Sequence, residues 1–279
     1  MKIDGKAIAE SILSGLTQQV TELKKRSITP TMAVILVGDN PASLAYIKQK
    51  EKAAERIGAK LVLSHQLSAI SCQQLQQIIE QYNTDPNIHG IIIQRPLPKP
   101  LNDSSTVLHS AIPDKDIDGF VPGSPFEVPV ASAVMTIMNF IRSHLANAKV
   151  RPLEDQHIVI IGRGETGGKP IADLLDKHKC NVTVIHSQTL NPDKITRSAD
   201  IIISCVGKGD VVRRDNIRKD AILLSVGIWR DSAGKLHGDY NEEEISDIAG
   251  FYTPTPGGVG PVNVACLMQN LILAAHKTH

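Results

Sequence analysis

His157-Ile158-Val159-Ile160-Ile161-Gly162-Arg163-Gly164-Glu165-Thr166-Gly167-Gly168-Lys169-Pro170 joins a short apolar run to a glycine-rich turn. Helix-compatible sequence continues from there to Lys177. Gly162, Gly164 and Gly167 fall at G-x-G-x-x-G spacing. That spacing lets a backbone approach a pyrophosphate while the first amides of the next helix point at the anion. Glycine turns between strand and helix are common, so the weight rests on the residues C-terminal to the turn. Residues 181–186, Asn-Val-Thr-Val-Ile-His, read as a second strand and complete a strand, helix, strand unit of the expected length. An acid after that strand would accept hydrogen bonds from a free ribose hydroxyl. Here the chain reads His186-Ser187-Gln188-Thr189, and Arg163 lies in the first turn. A cation and a hydroxyl without a competing carboxylate suit a 2′-phosphate, so the expected cofactor is NADP. In the alternative, Ser187 caps a turn and Arg163 is solvated.

The remainder of the chain sets bounds on this reading. Its 279 residues suffice for two domains with their own cores. The formal net charge is +1, and no basic tract points to nucleic acid or an anionic membrane. The four cysteines, Cys72, Cys180, Cys205 and Cys266, form no C-x-x-C pair, so neither a metal site nor a disulfide framework is implied. The first residues have no signal-peptide apolar core and no segment reads as a bilayer span, so a cytoplasmic location is expected.

Strand-like and helix-period segments alternate, which predicts an α/β fold with parallel sheets. An amphipathic helix is expected over 8–25, a strand over 31–37, a helix over 43–57 capped by Gly58, then strand, helix and strand at 60–64, 73–82 and 90–94. A second strand series is expected at 158–161, 182–186, 201–206, 222–226 and 250–253. Residues 129–148 read as a helix joining two lobes, and 262–277 as a helix packing back on the first lobe. The expected division is a catalytic domain over 1–128 joined by the helix 261–279, a connecting helix 129–148, and a Rossmann-type domain over 149–260.

Several residues look chemical. Tyr46 and Lys50 are four apart on a predicted helix and share a face, beginning where a strand ends. Desolvation there would lower the amine's pKa and equip it for acid–base work, although such pairs commonly sit on solvated faces. Gln94 ends an apolar strand and precedes Arg95-Pro96-Leu97-Pro98. In Asp114-Lys115-Asp116-Ile117-Asp118 the acids alternate, but the rest of a calcium loop is missing. One such carboxylate suits a heterocycle with adjacent N–H donors. The strip Thr253-Pro254-Thr255-Pro256-Gly257-Gly258-Val259-Gly260-Pro261 has a fixed, unusual backbone and could wall a nicotinamide ring. Pro261 suits the first turn of the terminal helix.

Taken together and in order, these segments resemble the bifunctional methylenetetrahydrofolate dehydrogenase/cyclohydrolase family. The resemblance covers nearly the whole chain. It implies folate in a cleft between two lobes, NADP on the second lobe, and a homodimer formed through the Rossmann lobes. By position it implies Lys50 as the catalytic lysine, Tyr46 near the pterin adjusting it, Gln94 hydrogen-bonded to it, and Asp118 on the pterin. Pro261 would also touch substrate. Arg163 and Ser187 would hold the 2′-phosphate, with Gly162, Gly164, Gly167, His186, Ile228, Gly257 and Gly258 as further cofactor contacts. A short-chain dehydrogenase also uses Tyr-x-x-x-Lys, but there the motif follows the glycine turn, whereas Tyr46 precedes it. A folate- or nucleotide-binding homologue that has lost turnover is the other alternative.

Overall fold

A computed structural model describes residues 1–144 and 151–277. The chain divides into two compact units. The first comprises Glu10–Pro129 and the chain from Val264 onward, and the second Met1–Ala9 and Val130–Asn263. The predicted boundary put the first nine residues in the other unit. They belong to the second because Lys2 forms a parallel bridge with Tyr252 and Ile3 N–H donates to the Tyr252 carbonyl at 2.9 Å.

In the first unit, α1 (Gly5–Lys25) enters from the second and leads to β1 (Thr31–Val37), α2 (Pro41–Ile57), β2 (Lys60–Gln66), α3 (Cys72–Thr84) and β3 (Gly90–Ile93). A short α4 (Ser105–Leu108) precedes the loop that carries the aspartates. The sheet is parallel, in the order β2-β1-β3. Every β1 side chain is buried because both faces are covered. Met32, Val34 and Leu36 enter one apolar cluster and Ala33, Ile35 and Val37 another. The first cluster is completed by Val264, Leu267, Met268, Leu271 and Ile272 of α9 (Val259–Lys277), so the terminal helix packs on this unit as expected. By length and composition α9 could cross a bilayer, which the sequence reading did not anticipate, yet here it is mostly buried core.

The second unit contains α5 (Pro129–His144), β4 (His157–Ile161), α6 (Gly168–Lys177), β5 (Asn181–Ile185), α7 (Pro192–Thr196), β6 (Ile201–Ser204), β7 (Ile222–Ser225), β8 (Ile228–Arg230), β9 (Leu236–Gly238), α8 (Glu242–Ile245) and β10 (Phe251–Tyr252). The last part of the expected 129–148 helix lies outside the described residues. Five parallel strands run β10-β7-β6-β4-β5, and β8 and β9 form a separate antiparallel pair. From β4 the chain moves outward to β5 and then back to β6. That reversal is the switch point at which open α/β sheets receive ligands, beyond the carboxyl ends of the strands.

Candidate active site

In the first unit β1 lies between β2 and β3, so the order reverses there too. Gly38 turns the chain out of β1 with φ +77°. The Asn40 side chain then caps α2, accepting from Ala42 N–H at 3.0 Å and Ser43 N–H at 3.1 Å. Pro41 adds a preset first helical residue. Tyr46 and Lys50 follow on successive turns, both half-buried. Gln94 extends β3, its N–H donating to the Ile35 carbonyl at 2.9 Å. Its Nε2 donates to the Arg95 carbonyl at 3.0 Å, which leaves Oε1 to accept from Lys50 Nζ at 3.1 Å.

Asp118 reaches the same edge by a different route. Asp116 forms a parallel bridge with Ile91, so the following residues run beside β3 and bring Asp118 level with its end. Gly90 makes room, since a Cβ there would lie 2.6 Å from Ile117 Cδ1. The Asp118 charge acts on Lys50 and favours its protonation, but desolvation outweighs it and lowers the amine's pKa.

Three residues that the sequence reading gave no role hold this arrangement. Lys115 is buried, and its ammonium donates to the carbonyls of Tyr82, Asn83 and Asp85 at 3.0, 2.8 and 2.7 Å. It thereby satisfies the carboxyl end of α3. Asn270 of α9 donates to the carbonyls of Ile117 and Glu127 at 2.9 Å each, stapling both ends of the loop that follows Asp118. Asp116 accepts from Val121 N–H at 2.7 Å inside that loop, and burial pushes its pKa up to about 6.

A carboxyl group with a raised native pKa favours the folded state at low pH. That contribution is lost as pH climbs from the unfolded carboxylate range through about 6. Asp116→Asn is therefore expected to gain stability relative to the parent as pH increases. The check is the difference in urea midpoints at about pH 4.5 and about pH 7.5. A difference independent of pH would mean that Asp116 does not titrate as placed.

In the second unit Gly162 leaves β4 with φ +101°, and its N–H donates to the Ile185 carbonyl at 2.8 Å. The structure changes which glycines matter. A Cβ on Gly164 would meet nothing within 4 Å, and one on Gly167 would make only an ordinary contact of 3.6 Å with Cys205. A Cβ on Gly168 would lie 1.9 Å from the Gly162 carbonyl oxygen. Gly162 and Gly168 therefore pack backbone against backbone in a tight cradle, and the glycine spacing alone missed Gly168. Ile161 pairs with Ile185 in register, so Arg163 and Ser187 both emerge just past adjacent strand ends, and both are exposed. His186 is half-buried in a turn that Thr189 closes, with Thr189 Oγ1 accepting from His186 N–H at 2.9 Å. Gln188 N–H donates to His186 Nδ1 at 3.2 Å, which puts the neutral ring's proton on Nε2.

Ile228 lies on β8, and a Cβ on Gly207 would come 3.1 Å from its carbonyl oxygen. The strip after β10 is equally tight. A Cβ on Gly258 would lie 2.5 Å from the Pro254 carbonyl oxygen, and one on Gly5 2.0 Å from the Gly258 carbonyl oxygen. Gly257 has φ +105°. The structure thus gathers Tyr46, Lys50, Gln94 and Asp118 in the first unit. Gly162, Gly164, Gly167, Arg163, His186, Ser187, Ile228, Gly257 and Gly258 all fall in the second. Pro261, in the first turn of α9, belongs to the second unit as well.

A glycine turn at the switch point of a parallel sheet, in a chain whose other unit holds a desolvated amine, defines a class: two-domain α/β enzymes that use a dinucleotide. Comparison with known proteins narrows it. Residues 3–118 match the catalytic domain of tetrahydrofolate dehydrogenase/cyclohydrolase, and residues 131–279 match the NAD(P)-binding domain of the same family. The chain is 41% identical to the Bifunctional protein FolD of Streptococcus agalactiae, over 99% of this chain and 98% of that protein. The fold superposes on the bifunctional FolD methylenetetrahydrofolate dehydrogenase/cyclohydrolase of Campylobacter jejuni with a TM-score of 0.91, at 35% identity and 99% coverage of both chains. It also superposes on the Trypanosoma brucei FolD enzyme complexed with NADP and inhibitor, with a TM-score of 0.89 at 30% identity, covering 99% of this chain and 97% of that one. The chain belongs to the tetrahydrofolate dehydrogenase/cyclohydrolase family.

Proposed function

We infer that this protein oxidises 5,10-methylenetetrahydrofolate to 5,10-methenyltetrahydrofolate with NADP and hydrolyses the product to 10-formyltetrahydrofolate. The observation that carries the reading is the hydrogen bond of 3.1 Å from a lysine of lowered basicity to Gln94, at a sheet edge shared with Asp118. We assign Asp118 to the pterin, whose ring N–H and exocyclic amine both suit one carboxylate. Tyr46, one helical turn before Lys50, would border the pterin and limit water around the amine.

The methenyl product is a cation, and a protonated lysine beside it would oppose its formation. A neutral Lys50 removes that opposition. In hydrolysis Lys50 takes a proton from water as the new C–O bond forms. It returns the proton to the ring nitrogen as the C–N bond breaks, and the carbinol proton leaves to solvent. Gln94 orients the amine through its carbonyl oxygen.

The Gly162–Gly168 cradle fits a dinucleotide. When bound, NADP supplies the hydride acceptor. Gly162 and Gly168 would let the backbone pass close to the pyrophosphate, with the first amides of α6 facing it, and Arg163 and Ser187 would hold the 2′-phosphate. Ile228, Gly257 and Gly258 would border the nicotinamide. A cytoplasmic homodimer with small-molecule partners, and without membrane or nucleic acid, completes the proposal.

A spectrophotometric assay following methenyltetrahydrofolate appearance and decay with both nicotinamide cofactors tests it. Folate binding without turnover would mark a binding protein instead. Arg163→Ala is expected to weaken NADP by about 10- to 150-fold, the loss of one charge-assisted contact of about 1.5–3 kcal/mol, while NAD changes little. Equal losses for the two nucleotides would remove the 2′-phosphate assignment.

A further inference from the structure

Asp239 is completely buried in the second unit, directly after β9, and the chemistry above does not use it. A buried carboxylate is costly unless its oxygens are hydrogen-bonded. Here Oδ2 accepts from Ser204 Oγ at 2.6 Å and from Val206 N–H at 2.9 Å, and Oδ1 accepts from Lys208 N–H at 2.9 Å. Gly227 leaves space for it, since a Cβ there would lie 2.3 Å from Oδ2.

All three donors lie on one short stretch, the last residue of β6 and the loop that leaves it. That loop runs against the dinucleotide turn. Cys205 N–H donates to the Ile161 carbonyl at 2.8 Å, and the Cys205 carbonyl oxygen would be 3.0 Å from a Cβ on Gly162. The neighbouring residue holds a second loop. Tyr240 Oη donates to the Thr253 carbonyl at 2.6 Å, at the head of the 253–261 strip. Two consecutive residues therefore fix two loops at the carboxyl edge of the sheet.

We propose that Asp239 is a positioning residue for the nucleotide: it locks the 204–208 loop against the Gly162 turn in the shape that receives NADP. The proposal rests on the reading of this unit as the NADP domain. Asp239→Asn keeps the shape but puts an amide N–H₂ where an oxygen met a donor. Direct titration of the folate-free protein with NADP is expected to show affinity lowered by about 10- to 100-fold. A second readout needs no ligand. Trp229 is the sole tryptophan, and Gly209 of the same loop lies so close that a Cβ there would be 2.8 Å from its Cζ2. Its emission should change in unliganded Asp239→Asn.

Methenyltetrahydrofolate hydrolysis, a step without nucleotide, should fall far less than NADP affinity. Ser204→Ala removes one donor and no charge, and should weaken NADP in the same direction by less. It decides the matter if the Asn variant does not fold. A folded variant that binds NADP like the parent overturns the proposal, as does a loss of hydrolysis in step with nucleotide affinity. A parent that binds NADP but turns over no folate would sink the enzymatic reading and leave this measurement valid.

Discussion

Lys50→Met is expected to lower hydrolysis of methenyltetrahydrofolate by about 10²- to 10⁴-fold, the usual contribution of a positioned acid–base group. Folate binding should survive, because the pterin contact is assigned to Asp118. Methionine matches the length of the lysine stem and leaves Gln94 Oε1 to water. The same substitution makes a thermodynamic prediction of opposite sign. Burial lowers the pKa of the Lys50 amine, so near neutral pH the unfolded chain holds this proton more tightly than the folded one. The resulting penalty on the folded state is fully present below the folded pKa and is relieved as pH rises toward the ordinary lysine range. Lys50→Met should therefore unfold at a higher temperature than the parent near neutral pH, with the gap closing in alkali. In the parent, hydrolysis should climb with pH through the lowered lysine pKa, as the neutral amine accumulates. Unchanged hydrolysis in the methionine variant would reject Lys50 as the base.

Gly168→Ala is expected to damage the dinucleotide site more than alanine at any other position of the turn. The added methyl would sit 1.9 Å from the Gly162 carbonyl oxygen, a backbone atom that cannot swing away. Relief requires the turn or the start of α6 to move, and overpacking of this kind costs about 1–3 kcal/mol. If the strain distorts the turn, that cost corresponds to about 5- to 150-fold in NADP affinity. If it falls on folding, the melting temperature drops instead. Isothermal titration with NADP and a thermal melt together capture both outcomes. Gly164→Ala is the control, because its Cβ would enter open space. Equal behaviour of the two alanine variants would show that the turn is not held as described.

The extent to which the sequence was legible depends on the range of each interaction. Strands with local apolar or alternating runs read correctly: β1, β4 and β5 begin and end within a residue of their expected limits. The runs toward Val206 and Val226 overshoot. Those valines are apolar but leave the sheet, with Val206 N–H and Val226 N–H recruited by Asp239 and the Ser204 carbonyl. The β8–β9 pair escaped notice because each strand has only three residues, too few for an alternation to register. Lys50 and Gln94 were recognisable by type, position and family resemblance, though 44 residues separate them. Asp239 gave no such sign. Its donors lie 31 to 35 residues upstream, and Gly-Asp-Tyr reads as an ordinary turn. Gly168 was hidden by its neighbour: in a Gly167-Gly168 doublet, spacing favours the first, whereas steric contact selects the second.

The interleaving of the two units has a consequence for biosynthesis. The main apolar cluster of the first unit is closed by side chains of α9, including Leu267, Leu271 and Ile272, which a ribosome would deliver only after translating the entire second unit. Until then that face of β1 is covered only by α1 and α2, and the nascent chain must carry the rest of the greasy surface through more than a hundred further codons. No single cut can yield both units whole. Severed at residue 129, one fragment would lack the helix that seals its interior and the other the segment that pairs with β10.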